Sequence, residues 1–325
     1  MNKRDENEKM DFENNFAKPV IVMSACLDGD RVRYNGEILH NELVEKLKDF
    51  VDIMKVCPEI GIGLGVPRDP IKIYQTEAGY RIYQTKTGLD FTEKMKDFSS
   101  RFLDGLKDVD GFILKGKSPS CGASGTKIYR DKNAKDIVRM GMGLFAQYVK
   151  ERFPLKPIED ELRLKNDEIR HHFLTKVFAF AQMRNLEKNT HSISQLIEFH
   201  TKYKYLLMLY NQSKMIQLGK IVAGYKKGNI ERTVSDYAGI FYTAFERKPG
   251  IKKQINVIQH IYGYFSNRLN PAEKRHFLSL LKKYQFEKIP LITLLELLKS
   301  FAFRFDVKYL MAQRYFSPYP DQLYE

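Results

Sequence analysis

The sequence predicts an α/β domain followed by an all-α domain, and three observations predict it. Short continuous apolar runs alternate with helical patterns up to about residue 155, amphipathic helical stretches alone follow, and the charge balance shifts between the two parts. A chain of 325 residues with 43% hydrophobic and 13% aromatic content is long enough to bury two cores.

Residues 1–18 are polar and charged and are expected to be disordered. VIVMSA (20–25) and VDIMKV (51–56) read as strands, and Leu43, Val44, Leu47 and Phe50 mark one face of a helix between them. Apolar strands joined by helices indicate a parallel sheet covered on both faces. KIYQTEAGYRIYQ (72–84) reads as a small hairpin. Asp90 and Glu93 form an expected capping box for a helix carrying Met95, Phe98, Phe102 and Leu106. GFIL (111–114) supplies a further strand and a helix over 138–152 closes the unit, so that 19–155 reads as a Rossmann-like or flavodoxin-like domain.

Beyond about residue 154 the strand signal disappears. Residues 156–190 read as a linker and a helix, and 191–325 as successive amphipathic helices: HSISQLIEFHTKYKYLLMLY, a stretch from Ser235, INVIQHIYGYFSNRL, NPAEKRHFLSLLKKYQF and ITLLELLKSFAFRF. Asn270 followed by Pro271 marks a helix start with proline at the first helical position. No fixed-period repeat is visible, so a solenoid is not supported. Of the formal net charge of +14, residues 191–325 carry +11, with 21 Lys and Arg against 10 Asp and Glu. Such asymmetry points to a polyanionic partner, with nucleic acid the commonest. The run Phe199-His200-Thr201-Lys202-Tyr203-Lys204-Tyr205 offers both charge and stacking, although most of its aromatics are expected in the core.

No window approaches the ~18 apolar residues of a membrane span, and the charged N-terminus lacks the apolar stretch of a secretory signal. Three cysteines are too few and too odd in number for a disulfide framework, which suits a reducing compartment, and a cytoplasmic location is expected.

The cysteines carry the chemical question. Cys26 and Cys57 directly follow predicted strands, and Cys121 stands seven residues past GFIL in the loop GKSPSCG (116–122). Strand ends of one kind share one edge of a parallel sheet, the ligand-binding edge of open α/β folds, so the three thiols are placed to converge. A closed zinc site wants four ligands, and no histidine stands near these cysteines. A [4Fe-4S] cluster held by three cysteines, leaving one iron open, fits the number; three unrelated buried cysteines remain the alternative. Glu59 lies two residues from Cys57, Ser118 and Ser120 lie within three of Cys121, and Gly61, Gly63 and Gly65 form a loop ending near Arg68, available for an anion. Lys115 and Lys117 flank the loop, either to contact an anionic substrate or as solvated surface.

SACLDGDRVRYNG (24–36), CPEIGIGLGVPRDPI (57–71), TGLDFT (87–92) and LKGKSPSCG (114–122) closely resemble the thiouracil desulfidase family. EFHTKYKYLLM, NVIQHIYGYF, EKRHFLSLLKKYQ, IPLITLLELL and QRYFSPYPDQL resemble the YbgA-type helical domain often fused to it. The fused arrangement resembles desulfidases that act on 4-thiouridine in transfer RNA, whereas stand-alone relatives act on free thiouracil or thiouridine monophosphate. The resemblance implies that Cys26, Cys57 and Cys121 hold a [4Fe-4S] cluster with one open iron, and that Glu59 and Ser118 are catalytic. Asp28 departs from the leucine common in relatives and is expected to place an extra carboxylate near the cluster.

An open iron is a Lewis acid suited to a soft thiocarbonyl sulfur. The expected reaction is a hydrolytic, non-redox replacement of sulfur by oxygen, with Glu59 activating water and Ser118 positioning it or relaying a proton. The basic helical domain would hold transfer RNA by its phosphates. Two other functions stay open on sequence: a desulfidase of free thiolated pyrimidines, and a cluster-bearing nucleic-acid-binding redox regulator.

Overall fold

This computed structural model describes residues 16–77, 79–131, 136–226 and 228–324. The stretch 1–15, most of the segment expected to be disordered, lies outside the described residues. Among the described residues, 17–181 with 323–324 form one compact unit, and Phe16 with 182–322 the other.

The first unit runs β1 (Val20–Ser24), α1 (Glu42–Leu47), β2 (Asp52–Val56), α2 (Pro58–Gly61), β3 (Ile71–Thr76), β4 (Gly79–Gln84), α3 (Thr92–Asp104), β5 (Gly111–Leu114), β6 (Thr126–Tyr129), β7 (Ile137–Gly141), α4 (Leu144–Arg152) and β8 (Ile158–Asp160). Its main sheet has the order β2-β1-β5-β8 and is parallel throughout. β1 and β5 lie at its centre, and the four residues of GFIL are all buried, as strands covered on both faces must be. A second sheet, β4-β3-β6-β7, joins the expected hairpin to two further strands. Val22, Phe112 and Leu114 of the first sheet, Ile73, Ile82 and Ile128 of the second, and Met95 and Phe145 of α3 and α4 share one core.

Three local expectations are corrected. Residues 138–152 are not one helix: β7 takes the first part, and α4 starts only after Gly143. Ile137, Val138 and Met140 are exposed at 43%, 46% and 57% on an edge strand, so their apolar character mimics a helix face without being one. The strand signal does not end at residue 154, because β8 adds the fourth parallel strand. Its three residues, Ile-Glu-Asp, look like a polar linker since Asp160 turns its carboxylate to the backbone N–H groups of Leu162 and Arg163. Nor is there a capping box at α3: Asp90 accepts from the Thr92 N–H at 2.8 Å and from Arg81 Nε at 2.7 Å, and Phe91 is the N-cap.

The second unit is all-α. After α5 (Asp167–Asn189), within which the two units meet in sequence, come α6 (Ile193–Ala223), α7 (Ile230–Ala244), α8 (Ile251–Tyr262), α9 (Pro271–Gln285), α10 (Leu291–Arg304) and α11 (Lys308–Met311). Asn270 caps α9 by accepting from Ala272 and Glu273 N–H, and Glu273 reaches back to the Asn270 N–H, with Pro271 at the first position as expected. α6 is broken at Asn211, whose φ of −156° and ψ of 94° are not helical. A straight helix would put His200 and Gly219 about 28 Å apart. Here a Cβ on Gly219 would lie 3.4 Å from His200 Nε2, so the second half of α6 folds back on the first. Phe199, Tyr203, Phe241 and Phe245 pack ring to ring in the core beside them.

Candidate active site

β1, β2 and β5 run parallel, so their C-terminal ends lie on one sheet edge. The segments leaving those ends line a cavity of about 680 Å³ within the α/β unit. Cys26 sits in the 3-10 turn that follows β1, Cys57 is the N-cap of α2 directly after β2, and Cys121 stands in the loop after β5. All three line the cavity, Cys121 buried and the other two half-buried.

The loop GKSPSCG is locked by its own backbone. Ser118 Oγ accepts from Ser120 N–H at 3.2 Å and Cys121 N–H at 3.1 Å, and the Ser118 carbonyl accepts from Gly122 N–H at 2.9 Å and Thr126 Oγ1 at 3.1 Å. A Cβ on Gly122 would come within 2.8 Å of that carbonyl, so this position tolerates only glycine. Leu144 N–H donates to Pro119 O at 2.9 Å and Ala146 N–H to Ser120 O at 3.2 Å, anchoring the loop to the first turn of α4.

Glu59 lies in the first turn of α2 and lines the cavity. Its Oε1 accepts from Ser120 Oγ at 2.7 Å and its Oε2 from Arg68 Nε at 2.7 Å. Arg68 directs its remaining nitrogens at Val32 O, 2.8 Å, and Gly65 O, 3.0 Å. The side chain expected to meet an anion therefore orients Glu59 and the loop carrying Gly65. Ser120 is fully buried and is the hydroxyl that touches Glu59, whereas Ser118 keeps its own O–H proton after receiving two backbone donors. Nothing in Ser-Pro-Ser-Cys distinguishes the two serines; only the fold of the loop does.

Burial and mutual charge shape the thiols. Burial, reinforced by Cys57 and opposed by Lys115, pushes the Cys26 thiol up to about 12. Burial raises Cys57, against the backbone N–H of Ile60, and raises Cys121 well above the ordinary range, with Cys26 and Cys57 adding to it. Each would resist ionisation until a cation or metal shared the charge.

The flanking charges are sorted. Lys115 pairs with Glu161, which also accepts from Gly116 N–H at 2.7 Å. Lys117, with a left-handed φ of 58°, is exposed at the cavity rim. Lys72 on β3 and Lys127 on β6 line the same rim, and Lys72 Nζ lies 4.6 Å from the centre of the Tyr129 ring. These two come from the second sheet, which the sequence shows only as a hairpin. Asp28, expected near the cysteines' binding space, does not line the cavity: its carboxylate, 9% exposed, pairs with Lys48 at 2.9 Å and Lys55 at 2.8 Å. Burial opposes its ionisation, but the two lysines hold its pKa below the usual carboxylate range.

All three cysteines of the chain line this cavity. Among the described residues no three His, Cys, Asp or Glu side chains are gathered as one metal ion requires.

Fold and cavity together define an α/β unit with a cysteine-lined site at the ends of its parallel strands. Residues 21–161 match the 2-thiouracil desulfurase family, and residues 204–320 match a family described as a protein of unknown function, DUF1722. The uncharacterized protein YbbK of Bacillus subtilis is 33% identical over 111 residues, covering 32% of this chain and 74% of YbbK. The uncharacterized protein YbgA of Escherichia coli is 23% identical over 148 residues, covering 45% of this chain and 88% of YbgA. A solved structure of the [4Fe-4S]-dependent thiouracil desulfidase TudS is 28% identical, with a TM-score of 0.38, covering 46% of this chain and 94% of that one. The chain belongs to the 2-thiouracil desulfurase family through its α/β part, which is fused to a YbgA-type helical part. No helix among the described residues is long and apolar enough to cross a membrane.

Proposed function

We propose that this protein is an iron-sulfur-dependent desulfidase that converts 4-thiouridine in transfer RNA to uridine. The observation that carries it is the meeting of Cys26, Cys57, Cys121 and Glu59, from three separate chain segments, on one cavity at the sheet edge. The three cysteines would hold a [4Fe-4S] cluster, which when bound supplies a Lewis-acidic iron with affinity for soft sulfur.

The protein's own groups do the rest. The reaction consumes one water and releases one hydrogen sulfide as the carbon–sulfur double bond gives way to carbon–oxygen, with no net electron transfer. Glu59, clamped by Arg68 and Ser120, takes a proton from the attacking water, a step worth roughly 10²–10⁴ in rate. Ser118, with two N–H donors aimed at its oxygen, presents its hydroxyl proton outward to steady the water or return a proton to the departing sulfur.

The substrate class rests on charge. Lys72, Lys117 and Lys127 at the rim suit a phosphate-bearing pyrimidine better than a free base. The +11 on residues 191–325 suits a polyanion far larger than a mononucleotide. The test is hydrosulfide release by anaerobically reconstituted protein from thiolated transfer RNA, thiouridine monophosphate and thiouracil. Transfer RNA is expected to show the highest kcat/KM; a preference for the monophosphate would move the substrate to free nucleotides, and no release from any of the three would sink the enzymatic reading.

A further inference from the structure

The helical unit has a cavity of its own, about 460 Å³, lined by His200, Thr201, Lys204, Tyr264 and Tyr309. They come from α6, the turn after α8, and α11. The basic-aromatic segment 199–205 divides here by helix face. Phe199, Tyr203 and Tyr205 are 8%, 2% and 3% exposed and belong to the core. His200, Thr201 and Lys204 face the cavity.

The cavity walls are fixed in place. Gln313, 2% exposed, donates from Nε2 to Thr201 O at 2.8 Å and accepts the Tyr205 N–H at 3.3 Å. Arg314 N–H donates to Lys202 O at 2.9 Å. These bonds tie the turn of α6 that bears Lys204 to the chain just past α11, which bears Tyr309. His200 Nδ1 shares a hydrogen bond of 3.0 Å with the Tyr237 hydroxyl, which holds the imidazole ring still.

Two features call for a ligand. Tyr264 is 43% exposed, and its ring lies 5.9 Å from that of Tyr309 with planes 29° apart, which makes an aromatic platform open on one side. The Tyr309 hydroxyl is turned toward that of Tyr264, which holds the platform together. Lys204 has no carboxylate partner among the described residues, in the part of the chain that carries most of the excess positive charge.

Resting on the transfer RNA reading above, we infer that this cavity captures one unpaired nucleotide of the RNA, its base stacked on Tyr264 and its phosphate met by Lys204. A base inside a duplex offers no free face, so the site selects a loop or an end of the RNA. Stacking on tyrosine tolerates any base, and the capture positions the RNA without reading its sequence.

The experiment measures binding of unthiolated transfer RNA to the full chain over a salt series, for wild type, Tyr264→Ala, Tyr264→Phe and Lys204→Ala, with circular dichroism to check helix content. Tyr264→Ala is expected to weaken binding by roughly 5- to 100-fold, and Tyr264→Phe, which keeps the ring, by no more than about twofold. Lys204→Ala is expected to reduce the slope of log affinity against log salt by about one. Should Tyr264→Ala lose helix content, competition decides in its place: a single-stranded oligonucleotide that displaces transfer RNA better than a duplex of equal length upholds the site, and equal competition overturns it. Wild-type affinity and salt slope in both Tyr264→Ala and Lys204→Ala would overturn the inference and leave the transfer RNA reading standing. Failure of the wild type to bind transfer RNA at low salt would remove both.

Discussion

The inner wall of the α/β cavity and the helical cavity treat charge in opposite ways. Around the cysteines, charges are matched inside the protein, Glu59 by Arg68 and Lys115 by Glu161, and only the rim lysines Lys72, Lys117 and Lys127 lack a carboxylate among the described residues. In the helical cavity Lys204, its one lysine, likewise stands without a carboxylate among the described residues. Chemistry benefits from dipoles already fixed before the substrate arrives, because nothing then has to reorganise at the transition state. Holding a polyanion calls for the reverse, cations whose counter-charge is supplied by the partner. On the proposed function, catalysis falls to the α/β unit and capture to the helical unit, and the comparison gives each the electrostatics its task requires.

The hardest test of that division removes a thiol. Cys26→Ala, Cys57→Ala and Cys121→Ala are each expected to abolish turnover and to lower iron and sulfide bound after anaerobic reconstitution, while transfer RNA binding stays near that of the wild type. Loss of RNA binding in these variants would show that the cavities are not separable. A variant that keeps both iron and turnover would strike that cysteine from the ligand set.

Within the α/β cavity the next largest effect belongs to Glu59. Glu59→Gln is expected to lower kcat by roughly 10²–10⁴ with iron content unchanged, since the amide cannot accept the proton. The two serines then separate by role. Ser118→Ala is expected to lower kcat by roughly tenfold or more, whereas Ser120→Ala, by removing a 2.7 Å donor that only orients Glu59, is expected to lower it by a smaller factor. Equal effects from both would mean that the loop acts only through its shape.

Much of this was legible before the structure, and the part that was not has a physical cause. β1 and β5 announce themselves because a parallel strand buried on both faces is apolar along its whole length, whereas β2 is an exposed edge strand carrying Asp52 and Lys55 and shows only through its remaining apolar residues. The convergence of the cysteines follows from that parallelism alone. β8 and β7 do not announce themselves: one is short and ends in carboxylates that bond to backbone, the other is an exposed edge. Arg68 and Ser120 escaped their roles for a different reason, since a side chain's partner lies 9 and 61 residues away and no local pattern encodes it. In the helical part, amphipathic spacing separates core from surface; the kink at Asn211 has a local mark, its side chain accepting from the Lys214 N–H at 3.1 Å, whereas the bridge from Gln313 to Thr201 and Tyr205 depends on tertiary contacts.

Asp28 offers a smaller test of how closely the α/β cavity is insulated. Asp28→Leu is expected to leave turnover unchanged, because the carboxylate does not line the cavity. It should lower stability by about 1 kcal/mol, the scale of partly exposed ion pairs, read from the denaturant midpoint. A clear change in kcat with stability intact would place the Asp28 charge inside the reaction field after all.

The smallest expected effect lies in the helical cavity and is a pH slope. Burial, helped by the Lys204 charge, pushes the pKa of the His200 imidazole below the usual 6.5, so the folded chain keeps this ring neutral where the unfolded chain already protonates it. The unfolded state therefore binds more protons as pH falls below about 6.5, and folding stability contributed by His200 declines from there until the folded-state ring also titrates. His200→Gln retains a polar group toward Tyr237 but has no proton to take up. Its melting temperature is expected to fall less than that of the wild type between pH 7 and pH 5, by a few degrees at most. Parallel profiles would mean that His200 is solvated on the cavity side, and that the cavity is wetter and more polar than its tyrosines suggest.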